Sequence, residues 1–219
     1  MSTEGDPASP QPSARGALGA PLPVLRGDRV LLRQPVPEDL AARLEVPADP
    51  ELNRMYGGSG DPEPVSAEKM RAMLAGFAEQ DLSTVRRFLV AALVWPDGRP
   101  IDSPDGRYVG HVRLNFLSWR DRNARMAMGI YDRRFWSRGF GTEALRLLLR
   151  YAFDDLALHR VDLRVIAYNV RAMRCYEKCG FVREGVEREC ALVDGVWHDD
   201  VMMGILEDEY RAQPWAGRR

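Results

Sequence analysis

Only two of the 31 basic residues in this 219-residue chain, Lys69 and Lys178, are lysines. The arginine bias matches coding in a GC-rich bacterial genome, and it equally matches selection for anion binding. Cysteine is scarce and odd in number: Cys175, Cys179 and Cys190. That speaks against a disulfide scaffold and for reduced thiols in a cytoplasm. Histidine is as scarce, and His111, His159 and His198 are scattered. Cys175 and Cys179 share a helix face but lack further ligands nearby, so no metal is expected. Long apolar runs are missing too. The longest, Phe88 to Trp95, has eight residues, where a membrane span needs about twenty. The N-terminus lacks the apolar core of a signal peptide, and a cytoplasmic protein is expected. With a net charge of −1, no global field draws the chain to nucleic acid or an anionic membrane.

What is present reads as one folded unit. Residues 1–24 are rich in Pro, Ala, Gly and Ser and are expected to be a disordered tail. The folded domain is expected over residues 25–212. Arg29 to Arg33 reads as a strand, and Pro37 to Val46 as a helix with Pro at its start and acids in its first turn. Ser66 caps a second helix through Met70, Met73, Leu74 and Phe77. Strands follow at Phe88–Trp95, Tyr108–Leu117 and Ala124–Tyr131, the first two joined by a long turn-rich loop, 96–107. From Thr142 to Leu156 the period becomes 3.6. Leu145, Leu148, Leu149, Ala152, Phe153 and Leu156 make one stripe. A strand at Arg160–Ala167, a short helix capped by Asn169 and stopped by Gly180, and a final hairpin turning at Asp194-Gly195 complete the chain. Helices that punctuate one sheet imply an α/β (mixed α+β) fold in a single domain.

The loop DRRFWSRGFG joins the third of those middle strands to the long helix. Gly139 and Gly141 permit a tight turn and close backbone approach. The helix start presents unpaired N–H groups, and Arg133, Arg134 and Arg138 add positive charge. The turn alone fits either a phosphate or pyrophosphate site or a plain glycine turn capped by Thr142. It is not a Walker A loop, which ends Gly-Lys-Ser/Thr, because Gly141 is followed by Thr142 and Glu143. Nor is it a Rossmann fingerprint, which belongs to the opening of a βαβ unit.

A family resemblance goes further. Gly129-Ile130-Tyr131 followed by Phe135 to Ala144 resembles the acyl-CoA-binding motif of the GNAT N-acetyltransferases. Asn169 to Phe181 resembles the family's second signature. Val182 to Gly185 and Asp194 to Asp199 are similar to the closing strands of its RimJ/RimL-like branch, which includes enzymes acetylating protein N-termini. The general motif has Gln or Arg where this chain has Trp136, a substitution associated with that branch. The resemblance covers roughly residues 25 to 210. It implies a central mixed, mostly antiparallel sheet flanked by helices, with acetyl-CoA as donor. The pyrophosphate would rest on Arg138, Gly139, Phe140, Gly141 and Thr142. The pantetheine arm would pair with the backbone near Met128, Ile130 and Tyr131. Asn169 would contact the arm, and Tyr176 would stabilise the leaving thiolate.

No base is assigned by the resemblance. The position where many relatives carry a glutamate is Ala127. Asp199 is the sequence's best candidate, with Glu184, Glu187 and Glu189 nearby. A lysine-type amine of pKa ~10.4 is free about once in 2,500 molecules at pH 7, and an α-amine of pKa ~7.8 about once in seven. A missing strand carboxylate therefore favours a peptide N-terminal α-amine as acceptor. A polyamine or aminoglycoside acceptor would require an acidic pocket, for which Glu38, Asp39 and Asp61 are available. A non-catalytic acyl-CoA-binding sensor is the reading from another class. Oligomeric state is left open, a homodimer included.

Overall fold

The computed structural model describes residues 21–217. Most of the expected tail, residues 1–20, lies outside the described residues. Eight strands form one sheet in the order β1-β2-β3-β4-β5-β6-β8-β7. They are β1 (Leu25–Arg26), β2 (Val30–Arg33), β3 (Arg86–Ala92), β4 (Arg107–Ser118), β5 (Asn123–Ile130), β6 (Arg160–Ile166), β7 (Val182–Val193) and β8 (Val196–Leu206). All neighbours are antiparallel except β5 and β6, which run parallel. The helices are α1 (Asp39–Leu44), α2 (Pro50–Met55), α3 (Ala67–Ala78), α4 (Phe140–Arg150), α5 (Val170–Glu177) and α6 (Glu207–Arg211). This is the mixed, mostly antiparallel sheet flanked by helices that the family resemblance implies.

The main core follows from strand parity. Val161, Leu163 and Val165 of β6, with Val201, Met203 and Ile205 of β8, point to the α4 face. Leu145, Leu148 and Leu149 of α4 are fully buried against them. The apolar stripe continues past α4 through a π-helical turn at Tyr151–Asp155. The opposite face carries a smaller core in which Met70 and Phe77 of α3 pack on Leu89 and Tyr108. Leu22 and Leu25 already pack against the main core.

Asp39 does not serve a pocket. It is buried and takes both Nη atoms of Arg33 at 2.7 Å. Its Oδ2 also accepts the Val36 N–H at 2.7 Å. Truncating it would strand a guanidinium whose side chain is only 3% exposed. Asp39→Ala is therefore expected to cost about 3–5 kcal/mol in urea unfolding.

α2 is absent from the sequence reading. Asp49 caps it by accepting from the Glu51 and Leu52 amides, and Pro50 begins it. The loop after α2 reaches across to the β7–β8 turn, where the Gly60 N–H donates to Asp194 at 2.7 Å. The Tyr168 hydroxyl holds the Arg54 carbonyl at 2.5 Å. These ties make a roof on the sheet face opposite α4. The 96–107 loop contributes no residue to the large cavity described below. Its neighbour Trp95 stacks on Phe135 instead. Among the described residues no helix is long and apolar enough to cross a membrane.

Candidate active site

β5 and β6 pair at three positions, Asn123↔Arg160, Ala124↔Val161 and Arg125↔Asp162, and then part. β5 follows β4 on to Ile130, while β6 follows β8 on to Ile166. The parting leaves a cleft with a strand edge on each side. It opens into a cavity of about 690 Å³, within the range of ~300–1,000 Å³ usual for small-molecule sites.

The cavity passes through the sheet. Met126, Met128, Leu163 and Val165 line it on the α4 side, and Ala127, Arg164 and Asp200 on the other. Period-two alternation puts adjacent residues on opposite faces, so both sets touch one space.

The head of α4 meets the first mouth. Gly139 precedes the helix at φ 87° and supplies no side-chain cap. The first-turn amides are therefore left for an outside acceptor, in the field of the helix dipole. A Cβ on Gly141 would meet Met128, Ile130 and Cys175 at 3.5–3.9 Å. Those are ordinary contacts, so nothing within the protein demands glycine there, and the bare Cα leaves room for a ligand. Glu143 secures this turn by accepting the Arg29 N–H at 2.7 Å and its Nε at 3.0 Å.

The cations differ from those the loop sequence suggests. Arg134 forks onto Asp132 and lies over Trp95. Arg133 pairs with Asp49 and Glu51. Neither lines the cavity, and neither does the exposed Arg138, whose carbonyl accepts from Arg29. Arg171, Arg174 and Lys178 of the α5 segment do line it. They fall at i, i+3 and i+7, one helix face, and none forms an ion pair among the described residues. Arg171 sits over the Trp136 ring at 3.4 Å from its centroid.

The β5 edge is partly occupied. The Tyr56 hydroxyl donates to the Met128 carbonyl at 3.2 Å, and Trp136 Nε1 to the Ile130 carbonyl at 2.7 Å. The Tyr56 ring also packs against Tyr131, with 6.1 Å between centroids. Tyr131 is different from the expectation. Its amide is committed to Val109, and its hydroxyl faces His111 Nδ1 at 2.7 Å on the sheet face opposite α4, outside the cavity. Burial, aided by Arg113 and Arg87, pushes His111 down to about 4. It is neutral at pH 7 and lines no part of the cavity.

Asn169 caps α5 by accepting the Ala172 N–H, and its Nδ2 donates to the Met55 carbonyl. Both polar ends are thus engaged within the protein, though the residue lines the cavity. Tyr176 is 8% exposed and faces the cavity with no hydrogen-bond partner on its hydroxyl among the described residues. Burial raises it well above the usual phenol range, so it stays a protonated donor.

Asp199 is displaced from its expected role. It shares the parity of Val201 and Met203, and its Oδ1 accepts the Glu189 N–H at 2.8 Å. That bond pins a bulge where β7 slips register between Glu187 and Ala191. Asp200, one residue on, has the opposite parity and is the one carboxylate among the residues lining the cavity. It stands opposite Ile166 and Glu187 in register. Ligand atoms of Glu187, Cys190 and Asp200 lie within 4.8 Å of one another. Arg164 pairs with Glu187 at 2.6 Å and also lies in the field of Asp200, which has no ion pair of its own among the described residues.

A mixed sheet split between two parallel strands, with a bare helix N-terminus at the mouth of the cleft, is the architecture that the resemblance to acyl-CoA N-acyltransferases implies. The chain belongs to the acetyltransferase (GNAT) domain family, whose pattern matches residues 29–182. It is 37% identical over 106 residues to Probable N-acetyltransferase YjcK of Bacillus subtilis, covering 48% of this chain. The chain spans 58% and 59% of the length of the first curated relatives it matches. Its fold is similar to spermidine N-acetyltransferase of Vibrio cholerae, solved with CoA and spermine. The TM-score is 0.65 at 24% identity, covering 84% of this chain and 99% of that one. It is also similar to Mycobacterium smegmatis RimJ, solved with CoA-disulfide, at a TM-score of 0.63 and 21% identity, covering 87% of each chain.

Proposed function

We propose that this protein moves an acetyl group from acetyl-CoA to a primary amine, in the first instance a peptide N-terminal α-amine. The observation that carries the reading is the through-sheet cavity, with anion-seeking amides at one mouth and Asp200 at the other. The α4 amides, Arg171, Arg174 and Lys178 fit the donor's phosphates. The edges of β5 and β6 suit an extended arm. Bound acetyl-CoA supplies an activated acetyl group and a thiolate leaving group. Asp200 takes the proton that the amine must lose. Tyr176 donates its hydroxyl toward the sulfur.

Two features support the α-amine. Glu38, Asp39 and Asp61 line no part of the cavity, so the acidic pocket a polyamine needs is not assembled from them. A single unpaired carboxylate suits one positive charge. The Trp136 substitution and the RimJ likeness point the same way. The likeness to a spermidine N-acetyltransferase and the Glu187–Asp200 neighbourhood favour the polyamine as second reading. Release of CoA thiol with a short peptide and with spermidine, at equal concentration, separates them. A higher kcat/KM for spermidine would reverse the order.

The donor half is tested by thermal unfolding. Coenzyme A at 100 times its dissociation constant adds about 2.7 kcal/mol, a rise of roughly 5–10 °C in a domain this size. ATP at the same concentration is expected to do much less. No shift with coenzyme A would remove the donor assignment.

A further inference from the structure

We propose that Cys175 is a covalent modification site inside the same cavity: a small anionic disulfide exchanges with its thiol, and the mixed disulfide closes the cavity to the acyl donor. The blocking half rests on the donor reading above; the reactive thiol does not.

Cys175 lines the cavity at the head of α4. Its Sγ lies 3.4 Å from Thr142 Oγ1 and would be 3.9 Å from a Cβ on Gly141. It is therefore beside the uncapped amides, with the cationic Arg174 and Lys178 on the same wall. Those groups attract an anion and position it against the sulfur. Tyr176, the next residue, is 8% exposed and turns an unpartnered hydroxyl into the same space, an independent mark of a cavity shaped for a ligand.

The thiol is also set for reaction. A hydrogen bond from Cys179, one turn on, holds Cys175 below the ordinary thiol range, with Thr142, Lys178 and Arg146 adding to it against the effect of burial. Exchange needs the thiolate. The other two thiols are poor competitors. Cys179 is fully buried and burial and its neighbour push it up. Cys190 is exposed on the far side of the sheet, raised by desolvation and Asp200.

In the step, the Cys175 proton has gone to solvent. Sγ attacks one sulfur of R–S–S–R and the S–S bond breaks. The Sγ–S–R bond forms, and R–S⁻ departs with the electron pair. No other oxidant is required. Dithiothreitol reverses it: its first thiolate attacks the outer sulfur and expels the Cys175 thiolate, and its second sulfur closes the cyclic disulfide and expels R–S⁻.

The test uses the full chain and two probes, the anionic dithiobis(nitrobenzoate) and the neutral dithiodipyridine. One thiol is expected to react at least about tenfold faster than the next with the anionic probe. Intact mass analysis should place the adduct on Cys175, and dithiothreitol should remove it. The advantage of the anionic probe should shrink with salt. Acetyl-CoA, which has no free thiol to consume the probe, should slow that phase and leave Cys190 unaffected. Cys175→Ser and Cys175→Ala should both lose the fast phase, and Cys190→Ser should keep it. A fast phase that survives both Cys175 variants overturns the proposal. So does labelled protein that binds acetyl-CoA calorimetrically as well as unlabelled protein. If acetyl-CoA neither binds nor protects while the fast phase still maps to Cys175, the donor reading fails and the modification site stands.

Discussion

Asp200→Asn is expected to lower kcat/KM at pH 7 by about 10²–10⁴, the span usual for general acid–base groups. The change is nearly isosteric, and Asp200 is half-buried on β8 with no ion pair of its own among the described residues. Folding should be little affected, so the loss reads as chemistry. The pH dependence distinguishes a base from a mere electrostatic contact. A free amine needs no base, and an α-amine of pKa ~7.8 is mostly free by pH 9. The deficit of the variant should therefore shrink as pH rises through that range. A deficit that is constant with pH would make Asp200 an orienting group. A change of less than about twofold at pH 7, judged against this span, would remove it from the mechanism. Asp199→Asn is the matched control: it loosens the β7 bulge through Glu189 but leaves the cavity wall unchanged.

That one-residue distinction shows where the sequence stops being readable. The parity of β8 is visible, since Val201, Met203 and Ile205 must face a core. Which face the acceptor reaches is not visible, because it depends on β5 and β6 parting after Arg125 and Asp162. Parallel pairing between segments so far apart leaves no local trace. The helix signals fared better because they are local. Ser66 and Asn169 cap where their side-chain chemistry predicts, and Gly139 adopts the left-handed φ that its place before α4 invites. α5 held a legible signal that went unused: Arg171, Arg174 and Lys178 at i, i+3 and i+7, one of them among the chain's two lysines. The loop arginines were more conspicuous, but Asp49, Glu51 and Asp132 had already claimed Arg133 and Arg134. Charge in a loop says little until its partners are known. α2 was hidden by its brevity, with Asp49-Pro50 as its one start signal.

Tyr176→Phe is expected to lower kcat by about 10²–10³, the loss typical of one donor aimed at developing negative charge. The hydroxyl has no partner among the described residues, so removing it breaks no hydrogen bond there, and phenylalanine fills nearly the same volume beside Phe181. Stability should be unchanged or slightly higher. Tyr176 lines the cavity, so a hydroxyl without a partner among the described residues is open to whatever binds there. The sign of its shift adds a second check. Burial raises Tyr176 above the usual value near 10, so it remains neutral in the folded protein while its unfolded counterpart ionises. Its contribution to stability is complete below pH ~10 and is lost as pH rises toward the folded value. The phenylalanine variant lacks that term and should gain on the natural protein above pH ~10. A fall in kcat with intact stability and this alkaline crossover assigns the hydroxyl to the thiolate. Unchanged kcat with the same crossover would make Tyr176 a core residue at the edge of the cavity, and the leaving sulfur would have to depend on the α4 amides and the cations of α5 alone.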